Sequence, residues 1–221
     1  MHSLLKQNTK YELVIFDFDG TIADTSAGII DSHKYTLKNL HLASPSDNEL
    51  RTLIGNNLLK TYIEVFGLNE SSSRHAVDLY RRRYSKVGIH KATVYPGFRE
   101  MLSELKKAGC KIGLATLKSE KFSIVMLGEI NCLPFFDYIF GMDNNDIETK
   151  TSLIKKTIEA SFVPIEKCLY VGDTIGDYEG AKRNNIDFLG VTYGFGFETG
   201  REYAFNTVDT PYQILRFITT N

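Results

Sequence analysis

The chain reads as an α/β protein: a core of parallel strands with helices on both faces, carrying an inserted all-α domain of four helices. Three observations predict this. Residues 13–16 are a wholly apolar run with no helical period, flanked by charge before and by Gly20 after, which reads as a strand buried on both faces. Residues 22–93 then show helical periodicity only. From Tyr95-Pro96-Gly97 onward, helix and strand patterns alternate, and that alternation implies right-handed βαβ units on a parallel sheet. The first strand therefore belongs to a sheet whose other strands follow the insertion. The predicted division is residues 1–21 and 94–221 for the α/β core and 22–93 for a helical cap.

Taken in order, Ile29, Ile30, His33, Leu37 and Leu40 keep a helical period. Ser46 with Glu49 three residues on is a capping-box signature ahead of Leu50, Leu53 and Ile54, and Gly55 ends that helix. Leu58, Leu59, Tyr62 and Phe66 form a third stripe closed by Gly67, and Ala76, Leu79, Tyr80, Tyr84 and Val87 a fourth closed by Gly88. Four helices are too much for a loop. Beyond residue 95 the pattern predicts helices at 98–105, 120–128, 151–160, 175–183 and 214–218. It predicts strands at 111–115, 138–140 and 168–171, with 188–191 as the last core strand.

At 221 residues, 43% hydrophobic and 24% charged, the chain can bury a core and does not have the composition of a disordered segment. A net charge of −1 gives no electrostatic case for nucleic acid or an anionic membrane as partner. The basic run Arg81, Arg82, Arg83 with Lys86 reads as a solvated helix face, with a rim attracting anionic substrates as the sharper alternative. No apolar run nears the span of a bilayer, and MHSLLKQNTK lacks the apolar centre of a signal peptide. Cys110, Cys132 and Cys168 are odd in number and sit in or beside apolar stretches, as reduced core residues of a cytoplasmic protein do.

The chemistry-bearing residues fall at strand ends or helix starts: Asp17 and Asp19, Thr116, Lys150, and Asp173 with Asp177. In a parallel sheet those positions share one edge, where open α/β sheets bind ligands. Asp17 and Asp19 are two apart on an extended chain and so point the same way. A β-turn decorated with Asp and Gly is the plainer alternative, but a turn needs no apolar strand feeding it. Asp173 and Asp177 alone fit simple acid placement at a helix N-terminus. Four carboxylates at one edge repel unless a cation or shared proton relieves them, and hard oxygen ligands suit Mg²⁺. Such a site suits phosphoryl transfer. Asp17, with a free Asp titrating near ~3.9, would be ionised at pH 7 and able to attack phosphorus. Asp19 would protonate the leaving alkoxide and later deprotonate water, a role typically contributing ~10²–10⁴-fold. Thr116 offers a hydroxyl at the sheet edge, although Thr at a strand end is common. Lys150 at a helix N-terminus opposes the macrodipole and wants an anion partner, with Lys118 as its rival.

Together, Asp17, Asp19 and Thr21 (D-x-D-x-T), Thr116, Lys150, and Gly172, Asp173 and Asp177 (GDxxxD) resemble the four motifs of the haloacid dehalogenase-like hydrolases. The chain is most similar to the branch of phosphoglycolate phosphatase-like enzymes with a helical cap. YPGFREMLSELKKAG and the YGFG of Tyr193 to Gly196 carry the same likeness. The resemblance implies a Rossmann-like core. It implies Mg²⁺ held by Asp17, the Asp19 backbone carbonyl and Asp173, with Asp177 in or just behind that shell. It implies phosphoryl oxygens held by Thr116, Lys150 and backbone N–H groups near Phe18 and Leu117. Asp24 and Gly55 match positions at the cap hinge and in a cap loop. Two departures stand out: Leu117 replaces a common Asn, and Lys150-Thr151 a common Lys-Pro.

The expected activity is a Mg²⁺-dependent phosphatase acting on a small phosphorylated metabolite, phosphoglycolate being the leading guess. Asp19 argues against a dehalogenase, which has no alkoxide to protonate, and against a phosphonatase. A phosphomutase of the β-phosphoglucomutase kind shares all four motifs. A non-catalytic binding protein on this fold predicts a lost catalytic position, and none is lost. The helical insertion is expected to act as a lid, with His33, Lys34, Arg51 and Asn56 among the side chains able to meet the leaving group.

Overall fold

A computed structural model describes residues 9–143 and 145–219. The N-terminal reading over residues 1–8 lies outside the described residues. The chain enters through β1 (Leu13–Phe16), all four residues fully buried, and then β2 (Ala23–Asp24). Four helices follow: α1 (Ser26–Asn39), α2 (Asp47–Arg51), α3 (Leu58–Glu64) and α4 (Glu70–Lys86). The capping box of α2 forms as the sequence predicts, with the Ser46 side chain accepting from the Glu49 N–H and Glu49 reaching back to the Ser46 N–H. After a short 3-10 turn the chain returns through β3 (Thr93–Val94), which pairs antiparallel with β2. Residues 22–93 are thus not helical throughout. Both crossings between insertion and core run through a two-residue ladder, too short for sequence periodicity to reveal.

The remainder alternates: α5 (Phe98–Lys107), β4 (Lys111–Ser119), α6 (Glu120–Glu129), β5 (Tyr138–Met142), α7 (Lys150–Ser161), β6 (Cys168–Gly172), α8 (Ile175–Arg183), β7 (Asp187–Val191), β8 (Asn206–Val208) and α9 (Pro211–Thr219). Six strands form one parallel sheet in the order β5-β4-β1-β6-β7-β8. β1 lies inside it, Leu13 aligning with Lys111 on one side and Cys168 on the other. Residues 188–191 are not the last core strand. β8 adds a sixth along β7, a three-residue segment that is half-buried and polar enough to escape the apolar-run criterion. β4 also runs past its predicted end to Ser119, with an irregular register between Thr116 and Ser119.

The period of two along β1 sorts its side chains onto two faces. Leu13 and Ile15 pack with Leu153 and Ile154 of α7 and Ala181 of α8. Val14 and Phe16 pack with Phe98 and Leu102 of α5 and Ile214 and Ile218 of α9, in a cluster that continues into Leu37, Tyr62 and Tyr84 of the insertion. Helices therefore cover both faces. Cys110, Cys132 and Cys168 are buried and free. Among the described residues no helix is long and apolar enough to cross a membrane.

Candidate active site

Asp17 directly follows β1, its N–H donating to the Val171 carbonyl at 3.0 Å, so the sheet itself fixes where the carboxylate emerges. Lys150, the first residue of α7, places Nζ 2.6 Å from Asp17 Oδ1 and 2.8 Å from Asp177 Oδ1. The ammonium sits at the unfavourable end of a helix dipole, and two carboxylates compensate it. The contact with Asp17 is one of charge rather than an aligned hydrogen bond. Among the described residues Asp17 Oδ1 is buried with no hydrogen-bond partner. Lys150 is 8% exposed, so it is not a solvated surface lysine.

Asp177 is held more tightly. It completes the capping box of α8 with Thr174. Its Oδ2 accepts from the Thr174 hydroxyl at 2.7 Å and from the N–H groups of Asp173 and Thr174 at 3.2 and 3.0 Å. The Tyr170 hydroxyl donates to Oδ1 at 3.3 Å. Asp173 accepts from the Phe195 N–H at 2.7 Å, and the Thr21 hydroxyl lies 3.4 Å away. Gly20 and Gly194 close around it: a Cβ on Gly194 would fall 2.4 Å from Asp173 Cβ, and one on Gly20, whose φ is +77°, 2.1 Å from Oδ2. The DGT turn and the YGFG segment are thus the walls around one acid.

Oxygens of Asp17, Asp173 and Asp177 lie within 4.8 Å of one another, and all three residues are buried. Burial raises the Asp17 carboxyl to about 6, with Lys150 pulling the other way and Asp177 adding to the rise. The carboxyl thus lies above the ordinary aspartate value. Burial, then the carboxylates of Asp177 and Asp17, push Asp173 well above the usual range. Burial alone would lower Lys150, but Asp17 and Asp177 outweigh it and keep the ammonium charged. One lysine against three buried carboxylates leaves negative charge unmet. An all-oxygen donor set from three clustered carboxylates fits a hard divalent cation.

Asp19 belongs to a different group. Its Oδ1 accepts from the Thr25 hydroxyl at 2.7 Å and from Lys118 Nζ at 2.8 Å. Lys118 also donates to the Tyr84 hydroxyl at 2.7 Å, which ties α4 of the insertion to the core. The two lysines therefore divide the work, Lys150 facing Asp17 and Lys118 facing Asp19. Thr116 is buried at the point where β4 loses register, and its hydroxyl accepts from the Lys118 N–H at 3.2 Å. Phe18 turns its side chain into the core, so only its backbone remains for a ligand.

A chamber of about 70 Å³ is lined by Asp17, Asp19, Thr116, Leu117, Lys118 and Lys150 from the core. His33, Gly55, Asn56, Tyr80 and Tyr84 face it from the insertion. Of the other insertion residues expected there, Lys34 pairs with Asp47 at the surface, and Arg51 lies over the Phe195 ring in a neighbouring cleft. Asp24 accepts from the Ser26 N–H and hydroxyl at the start of α1. Sequence reasoning missed Thr25, Tyr84 and Tyr170 as neighbours of the acids. Tyr84 was visible only as part of a helical stripe, and no local signal distinguishes a core tyrosine from one reaching across to Lys118.

A 5'-nucleotidase of Pseudomonas aeruginosa is 32% identical over 190 residues, 86% of each chain. A phosphoglycolate phosphatase of Pseudomonas syringae pv. tomato is 28% identical over 193 residues, 83% of this chain and 70% of that one. The crystal structure of a predicted phosphatase from Clostridium acetobutylicum matches with a TM-score of 0.88 at 30% identity, covering 94% of this chain and 97% of that one. The family model described as haloacid dehalogenase-like hydrolase matches residues 14–191, which takes in β1 through β7 and all of the acids and lysines above. The chain belongs to the haloacid dehalogenase-like hydrolases.

Proposed function

We propose that this hydrolase is a phosphatase that cleaves a small phosphomonoester, with Asp17 as nucleophile and Mg²⁺ as cofactor. The observation that carries the reading is the buried Asp17 carboxylate, ion-paired with Lys150 at 2.6 Å, within 4.8 Å of the Asp173 and Asp177 oxygens and sharing a chamber with Asp19. Asp17 and Asp173 would hold Mg²⁺, with Asp177 behind them orienting Lys150 and the Asp173 backbone. The ion would offset the repulsion between an anionic nucleophile and a phosphate dianion. Asp17 attacks phosphorus, a P–O bond to the carboxylate forms, and the bond to the leaving alcohol breaks. Asp19 gives that alcohol its proton. It then takes one from the water that attacks the aspartyl-phosphate, which regenerates Asp17 and releases inorganic phosphate. Lys150, the Thr116 hydroxyl and the backbone N–H groups of residues 18 and 117 hold the phosphoryl oxygens. The four-helix insertion serves as a lid that excludes water. Three buried free thiols suit a reducing, cytoplasmic setting.

The named activities of the relatives suggest nucleoside monophosphates and phosphoglycolate as first substrates to try. The test is phosphate release over a panel of phosphomonoesters with Mg²⁺, run beside Asp17→Asn. The expectation is a loss of roughly 10³-fold or more in the variant. Trapped wild-type enzyme should carry one added phosphoryl mass on the peptide containing residue 17. Phosphate released by Asp17→Asn at the wild-type rate overturns the reading. Transfer to a sugar phosphate in place of release would favour the phosphomutase.

A further inference from the structure

We infer that the chamber takes a phosphomonoester whose leaving alcohol is uncharged and presents apolar or ring surface, and that it discriminates against a leaving group bearing a carboxylate. This rests on the phosphatase reading and narrows it, away from phosphoglycolate.

Each lysine and arginine lining the chamber is already engaged by an acid. Lys150 is held by Asp17 and Asp177, Lys118 by Asp19, and Arg81 by Asp146 at 2.6 Å. The Arg81–Asp146 pair is itself largely buried, the side chains being 22% and 6% exposed. The phosphoryl group accounts for Lys150. Recruiting Lys118 would break its contacts with both Asp19 and the Tyr84 hydroxyl. His33 offers no charge either, since burial drives its imidazole down to about 4 and its Nδ1 sits 3.1 Å from the Tyr62 hydroxyl. A second anion would enter beside Asp146, and among the described lining residues no unpaired cation would meet it.

One side of the chamber instead offers apolar contact. Tyr80 and Tyr84 stack at 5.7 Å and 8°, His33 packs on Tyr80 at 4.8 Å, and Tyr84 meets Phe122 of α6 at 5.5 Å. Ile29 and Leu58 complete this side. An aromatic wall opposite a nucleophile favours a leaving group with a flat or apolar face.

The experiment compares phenyl phosphate with 4-carboxyphenyl phosphate, which differ in the one charge at issue. In parallel it compares binding of the uncleavable phenylphosphonate and 4-carboxyphenylphosphonate by thermal shift. The expected result is kcat/KM about tenfold or more in favour of the neutral ester, with the neutral phosphonate giving the larger shift. Asp146→Asn keeps the side-chain shape and frees Arg81, so it should narrow that preference severalfold, read as the ratio of the two esters' kcat/KM within the variant. Equal turnover of the two esters, or a preference for the carboxylate, overturns the inference. So does an unchanged preference in Asp146→Asn. Discrimination between the phosphonates without turnover of either ester would overturn the phosphatase reading and uphold the chamber's selectivity. Absence of discrimination in both assays would overturn the selectivity.

Discussion

Asp17 and Asp19 are two residues apart and line one chamber, yet their partners separate them: Lys150 and the acidic trio for the first, Thr25 and Lys118 for the second. Sequence spacing places both carboxylates at one sheet edge but says nothing of which lysine each would meet. That depends on where α7 and the end of β4 converge. Asp173 shows how narrow the tolerance is. Gly194 approaches it so closely that an added methyl must displace the carboxylate or the Gly20 carbonyl, 2.5 Å from the same point. Gly194→Ala should therefore lower kcat by about 10²-fold, measured by steady-state phosphate release.

Among the elements, α8 combines two tasks. Its capping box satisfies the helix start and also pins Asp177 against Lys150, so the signature that predicts a helix is part of the site. Helix α1 contributes His33, wedged among Tyr62, Phe66 and Tyr80. Its folded pKa of about 4 lies below the ordinary 6.5, so between these values the unfolded chain binds more protons than the folded one. Stability from this group is complete above about pH 6.5 and is lost as pH falls toward 4, by an amount of order 3 kcal/mol. Urea unfolding across that window should show His33→Gln with a shallower dependence on pH than wild type. The elements legible in the sequence were those with enough length to show a period: the four inserted helices and strands β1, β4, β5, β6 and β7. The β2–β3 ladder and β8 were not. At two and three residues they owe their conformation to partners distant in the chain rather than to their own side chains.

At the scale of the molecule, the proposed Mg²⁺ site would link metal binding to folding through the acidic trio. A ligand that binds only the folded state adds about 2.7 kcal/mol at a hundred times its Kd. For a chain of this size that corresponds to a rise in Tm of about 5–10 °C. Mg²⁺ should produce such a rise, EDTA should reverse it, and Asp173→Asn should abolish most of it while unfolding cooperatively. That these acids and lysines would cluster was readable from sequence, because they sit near the end of a well-patterned strand or the start of a helix. The chamber roof was legible only in part: His33 and Asn56 were expected to face it and do, whereas Tyr84 and Arg81 meet Lys118 and Asp146 only through the return of the insertion onto the core.

The position of β1 between β4 and β6 has a consequence for biosynthesis. This strand leaves the ribosome well before its two neighbours, which begin at residues 111 and 168. Until then an apolar tetrapeptide has both backbone edges open, and the pairings it awaits are the long-range kind that slow folding. The nascent polypeptide should therefore rely on chaperone shelter until residues 168–172 have emerged, and a ribosome stalled before residue 168 should display an aggregation-prone intermediate.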